Sequence, residues 1–366
     1  MFRFLLVLVI TLPSFAFFPE QVQRSEAELQ IVADLTQAAN STETLQVGKR
    51  YLRNYPDDIP ACKLAQDAIG GLLKNKVAFF RTRHDELQSL ASYYLYARAT
   101  DFTLPEADVE AMVNKHQDSF WAWLMFMATE WHKETADLDV VIDRAEQAVT
   151  LDGSRPEGYH FLSLAYLEAD RLTDTRDALE AAMICDPLNL EFRELLLDIY
   201  LKLRDADGYF ALMSGVLPRQ HAEISLATLD NSDTVDTKDF QGEVSLLVHW
   251  ALGSEICINH TLQELNKAKI EKHLTLPIYA MHIGDENTDP SPYITQTDRA
   301  GNEWQMEFVK TTTQLDDELN LPSRPCVYVI GPDGFVHALV NGKGHSEDLI
   351  DIVVWLAEEV AKRRNQ

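Results

Sequence analysis

The residues with the most chemical potential in this chain are its four cysteines, Cys62, Cys185, Cys257 and Cys326. A thiolate can attack disulfides and peroxides or ligate soft metals. No two of them have the paired spacing of a zinc site, and four in 366 residues are too few for a disulfide framework. Three other side chains stand close to Cys257. Ser254 precedes it by three positions, giving Ser-x-x-Cys. His260 follows by three, which on a helix is the same face and could favour a thiolate. Trp250 closes the strand-like run 244–250 just upstream, and Cys326 follows directly on Arg324 and Pro325. Other chemistries lack their residues. The sequence has no phosphate-binding glycine loop, His-Glu-x-x-His, Gly-x-Ser-x-Gly elbow, calcium loop or Cys-x-x-Cys-His haem site, so neither a metal nor a cofactor is expected. The acidic stretches 57–58 and 316–318 read as solvated turns or helix faces.

Composition narrows the partners. With 32 Lys and Arg against 58 Asp and Glu, the net charge of -26 repels phosphate and disfavours nucleic acid. A hydrophobic content of 46% suits a folded chain. At about 150 residues per domain the length suggests two domains. The N-terminus reads Met1-Phe2-Arg3, then an apolar stretch, then Pro13-Ser14-Phe15-Ala16. That order fits a secretory signal over residues 1–16, cleaved after Ala16, and the stretch falls short of the ~20 residues a spanning helix needs. The expectation is an exported, periplasmic protein without an integral membrane segment after cleavage, in a compartment where disulfides persist.

Residues 17–217 read as short amphipathic helices joined by small polar or proline turns. Ser25 with Glu28 forms a capping-box signature, and stretches 42–55, 61–73, 84–99 and 106–116 have helical periodicity. Counting from Pro156, the residues Tyr159, Leu162, Tyr166, Leu179, Ala182 and Pro187 occupy the aromatic, aliphatic and proline positions of a 34-residue unit. This unit resembles a tetratricopeptide repeat, and the resemblance implies a helical solenoid whose concave groove takes an extended peptide or partner helix. Because each repeat would touch only its neighbours, Cys62 and Cys185 should not meet.

Residues 218–366 change pattern. Strands are expected at 224–229, 244–250, 276–282, 327–330 and 335–340, with helices at 255–272, 313–319 and 346–362. Residues 224–257, with Asp239-Phe240-Gln241-Gly242 and the strand ending Trp250-Ala251, together with Arg324-Pro325-Cys326 and the Asp333-Gly334 turn, resemble the exported TlpA-like thiol-disulfide oxidoreductases. The resemblance implies a thioredoxin-like α/β domain following the α-helical one, with Pro325 as the cis-proline that lets Arg324 pair with an extended peptide. It also exposes a departure. Ser254 occupies the position of the family's first, attacking cysteine, and a serine hydroxyl forms no mixed disulfide. Several readings stay open: a degenerate domain that binds protein or peptide through Ser254, Arg324, Pro325 and Trp250; a relocated redox pair of Cys257 with Cys326; or Cys257 as a lone peroxidatic nucleophile aided by His260. The preferred one is an exported binding or scaffold protein, leaning away from enzyme, within a thiol-handling or assembly pathway.

Overall fold

A computed structural model describes residues 24–214, 225–229, 232–240, 242–252, 254–282, 290, 297–310, 325–341 and 348–363. The signal segment 1–16, the expected boundary at 217–218, the expected helix 313–319 and Arg324 lie outside these described residues. The chain separates into two compact units, 1–199 and 200–366, and the division falls within one helix, Leu190–Leu203.

The first unit is helical. Its elements are α1 (Glu26–Gln37), α2 (Ser41–Asn54), α3 (Ile59–Gly70), α4 (Lys76–Leu87), α5 (Leu90–Ala99) and α6 (Glu106–Lys115). They continue with α7 (Phe120–Trp131), α8 (Leu138–Leu151), α9 (Pro156–Glu168), α10 (Leu172–Cys185) and α11 (Leu190–Leu203). The starts are locally encoded. Ser25 and Glu28 complete a reciprocal capping box, and Asn40, Asp58, Asn75 and Asp137 each accept a first-turn amide. The helix expected over 84–99 is two helices. Gln88 adopts a left-handed φ of 51°, and Ser89 with Ser92 caps a new start, so the chain turns where periodicity alone reads through.

Successive helices pack closely because small residues line their contacts. Ala145, Ala148, Ala165 and Ala182 are fully buried, and a Cβ on Gly158 would lie 2.7 Å from Val149 Cγ2. Tyr159, Leu162, Tyr166 and Leu179 are all buried. Contacts also reach across the unit. The Lys63 ammonium of α3 donates to Glu157 Oε1 of α9 at 2.6 Å, and Arg155, just before α9, lies 3.8 Å from Glu28 of α1. Both cations lie over the Trp121 ring, at 6.0 and 5.5 Å from its centroid.

The second unit opens with the end of α11 and α12 (Ala206–Met213), then builds a sheet. β1 (Ser225–Ala227) and β2 (Thr234–Asp236) form an antiparallel hairpin. β3 (Ser245–Trp250), β4 (Ile278–His282), β5 (Glu307–Lys310), β6 (Cys326–Ile330) and β7 (Val336–Asn341) form a five-stranded sheet in the order β5-β4-β3-β6-β7. β3, β4 and β5 run parallel, while β6 and β7 are antiparallel additions. β3 is central and every one of its residues is buried, the polar Ser245 and His249 included, which explains why its sequence is mostly apolar and does not alternate. β5 has no counterpart in the sequence expectations. It has only Phe308 and Val309 between charged Glu307 and Lys310, and pairing with β4 makes it a strand.

Between β3 and β4 lie α13 (Glu255–Cys257), a π-helical segment Ile258–Leu262 and α14 (Gln263–Glu271). α14 is tied down by Asn266, whose amide donates to Asp298 Oδ2 at 2.9 Å and accepts from the Gln305 amide at 2.7 Å. The closing helix, α15 (Leu349–Arg363), packs on β6 and β7 through Ile352, Val353, Leu356 and Val360.

Candidate functional site at the end of the central strand

The site forms where β3 ends. Beyond Trp250 the chain passes Ala251 and Leu252 before Ser254 starts the helical run. Ser254 is the N-cap of α13. Its backbone is extended, and its Oγ accepts a hydrogen bond from the Cys257 amide at 3.4 Å. The Ile258 amide completes the first turn on the Ser254 carbonyl at 3.1 Å. The hydroxyl therefore satisfies one of the amides that a helix start leaves without an internal partner.

Cys257 is completely buried, whereas His260 is exposed. The helical run explains the divergence. Over Ile258–Leu262 it widens to π geometry, and Thr261, also fully buried, donates its hydroxyl back to the Ile256 carbonyl at 3.3 Å. A spacing of three that puts residues on one face of an α-helix does not hold through this wider turn, and the imidazole points to solvent while the thiol points inward.

Cys326 begins β6 opposite His249 of β3. It belongs to a cluster with Leu226, Val235, Phe240, Leu247, Met281, Val309 and Tyr328, on the sheet face that meets the β1–β2 hairpin. Burial pushes its thiol up to about 12, with the Tyr328 hydroxyl pulling weakly the other way. At neutral pH it is a protonated thiol and a poor nucleophile. All four cysteines are free and buried.

Trp250, expected on the binding side, is instead fully buried. Its ring meets His282 edge-on at 4.8 Å and Phe308 at 5.7 Å, so it supports the site from beneath. Pro325 is buried at a bend just before β6. Sequence reasoning missed two residues that flank Ser254, Leu252 and Ile256. Both are large, apolar and about two-fifths exposed, at 37% and 40%. The sequence offered a signal for them in the two apolar residues at −2 and +2 from a helix cap. No group of three or more His, Cys, Asp or Glu among the described residues could hold a metal ion. Among the described residues, no helix is long and apolar enough to cross a membrane.

No protein-family profile matches the sequence, and no curated protein matches it. Solved structures do match its C-terminal part. The exposed lipoprotein thioredoxin of Streptococcus pneumoniae is 15% identical, with a TM-score of 0.31, covering 38% of this chain and 99% of that one. A thioredoxin-family thiol:disulfide interchange protein of Chlorobium tepidum is 14% identical, with a TM-score of 0.31 and coverages of 38% and 97%. A secreted disulfide oxidoreductase of Mycobacterium tuberculosis is 14% identical, with a TM-score of 0.30 and coverages of 36% and 95%. These are what the C-terminal part of the chain is similar to; its strand order and its chemistry rest on its own residues.

Proposed function

We propose that this chain is an exported protein-binding protein, in which a tetratricopeptide-like helical unit is joined to a thioredoxin-like sheet unit that has exchanged thiol chemistry for binding. One observation carries the reading: the Ser254 hydroxyl is used as a helix cap over the amide of a fully buried Cys257. The atom that the resembled family needs as a redox-active sulfur is here an oxygen with a structural role. Leu252 and Ile256 offer apolar surface on either side of it, suited to an extended peptide or a partner loop held without a covalent bond. A role in a periplasmic thiol-handling or assembly pathway follows from the signal-like N-terminus and the family resembled.

The competing enzyme reading uses Cys257 with Cys326, and thiol mapping separates the two. Full-length protein taken from its compartment is treated with and without peroxide and alkylated, and the masses of the cysteine peptides are read. The binding reading expects Cys257 and Cys326 to stay as free thiols in both samples. A Cys257–Cys326 disulfide, or a sulfenic acid on Cys257, that appears with peroxide and is reversed by reductant would establish the enzyme reading instead.

A further inference from the structure

The odd-numbered helices from α1 to α9 begin at one place. Ser25, Asp58, Ser89, Ser119 and Arg155, the residues that cap the starts of α1, α3, α5, α7 and α9, all line a single cavity of about 740 Å³. That volume falls within the range of about 300–1,000 Å³ typical of small-ligand sites. The contact of Arg155 with Glu28 brings the start of α9 to α1 and so helps to close the ring of helix starts.

Three of these starts are closed. Ser25, Asp58 and Ser89 each accept a first-turn amide of their own helix, and Ser25 also donates to Asp58 Oδ2 at 2.8 Å. The start of α7 is open, because the Ser119 side chain makes no cap and its hydroxyl and the first amides keep their hydrogen-bonding capacity. A second group on the same wall is also unsatisfied. His116 Nε2 is buried and has no hydrogen-bond partner among the described residues. Shielded polar atoms of this kind are few in folded proteins, and each calls for a partner.

The wall carries both signs of charge. Asp57 and Lys115 are exposed and form no ion pair among the described residues, whereas Arg155 is already held, 3.3 Å from Asp152 and 5.5 Å from the Trp121 ring centroid. Ile59, Leu90 and Trp121 supply apolar surface. The ligand class follows by elimination. A simple anion meets Asp57 and the field of a chain with net charge -26. A simple cation meets Lys115 and Arg155. A molecule with one charge of each sign on a partly apolar body finds a counterpart for every part, and has no net charge for the field to repel.

We infer that this cavity binds a free short peptide. Its ammonium pairs with Asp57, and its carboxylate with Lys115 and the open start of α7 at Ser119. A backbone group of the peptide meets His116 Nε2, and an apolar side chain packs on Trp121. The site lies within the helical unit and does not rest on the reading given to Ser254.

The test titrates full-length protein in a calorimeter with alanyl-phenylalanine, its N-acetyl form and its C-terminal amide, all at physiological salt. The free dipeptide should bind saturably, and each blocked form should bind about tenfold more weakly, as expected for loss of one charge-assisted contact. Asp57→Asn should weaken the free dipeptide by a similar factor and remove the loss caused by acetylation while keeping that caused by amidation. Lys115→Met should do the reverse. Both side chains are exposed, so neither substitution disturbs the core. Absence of saturable binding by the free dipeptide overturns the inference, as does equal binding of the three probes. A loss on blocking that persists in the matching variant overturns it as well, because the charge is then read elsewhere.

Discussion

In the helical unit Cys62 and Cys185 each point at a turn, donating to the Tyr55 carbonyl at 3.1 Å and the Gly153 carbonyl at 3.6 Å. In the sheet unit Cys326 lies in an apolar cluster, and Cys257 lies behind a helix start capped by Ser254. Packing alone accounts for the first three, and burial pushes each of their thiols up to about 12. Cys257 differs in its backbone. It follows a strand end and opens a helical run, and its amide donates to the Ser254 hydroxyl three residues earlier. Thiols are buried in both units, and Cys257 is set apart by lending its amide to a capping hydroxyl.

The largest effect should come from exchanging that hydroxyl for a thiol. Ser254→Cys creates Cys-x-x-Cys. Under mild oxidant the variant should pass from no reducible disulfide to a nearly complete bond between the new sulfur at position 254 and Cys257, read as a mass loss of two hydrogens and loss of alkylatable thiol. If both thiols persist under oxidant, the junction is not a redox scaffold and the contrast between the units collapses.

Alkaline pH should separate the units more gently. Burial raises Cys62, Cys185, Tyr51, Tyr93 and Tyr159 of the helical unit to about 12, from 9.0 for the thiols and 10.0 for the phenols. Below about pH 9 folded and unfolded chains both keep these protons. Between about 9 and about 12 only the unfolded chain releases them, so folding loses stability as pH rises. Among the described residues the sheet unit has Cys326 raised likewise, against five such groups in the helical unit, so amide exchange across pH 8–11 should show the helical unit opening first. Loss of protection in the sheet unit first would mean that the raised groups do not govern alkaline stability.

The smallest effect belongs to the cap. Ser254→Ala should cost about 1 kcal/mol in urea unfolding of the sheet unit and speed exchange of the Cys257 amide, whereas Ser254→Asp should keep most of both. Equal stability of all three chains would remove the structural role assigned to the hydroxyl.

Helices were legible where their determinants are local. The capping residues Ser25 and Asp58 and the start at Pro156 lie within a few positions of the amides they organise. β3 was legible because burial on both faces writes a mostly apolar, β-branched and aromatic run, Leu246-Leu247-Val248 with Trp250. β5 was not, since Glu307-Phe308-Val309-Lys310 carries no strand pattern and is a strand through β4. Ser254 was singled out by its spacing from Trp250 and Cys257, but its role as a cap needed the backbone geometry. The separation of His260 from Cys257 was hidden by the π segment, which no residue type announces. Leu252 and Ile256 were overlooked because an apolar side chain reads as core until its exposure is known.

The ion pair between Lys63 and Glu157 joins residues 94 positions apart, and Arg155 with Glu28 spans a still longer stretch of chain. Burial works against ionising Glu157, but the Lys63 charge and hydrogen bond outweigh it and hold the carboxyl below its usual range. A row of helix pairs that touch only their neighbours can fray from either end and fold piecewise. With its first helix linked to the start of its ninth, this unit has non-local closure to complete, which slows folding and couples α1 to α9. Loosening α9 should therefore be felt at α1, so that the helical unit melts as one cooperative body and not repeat by repeat.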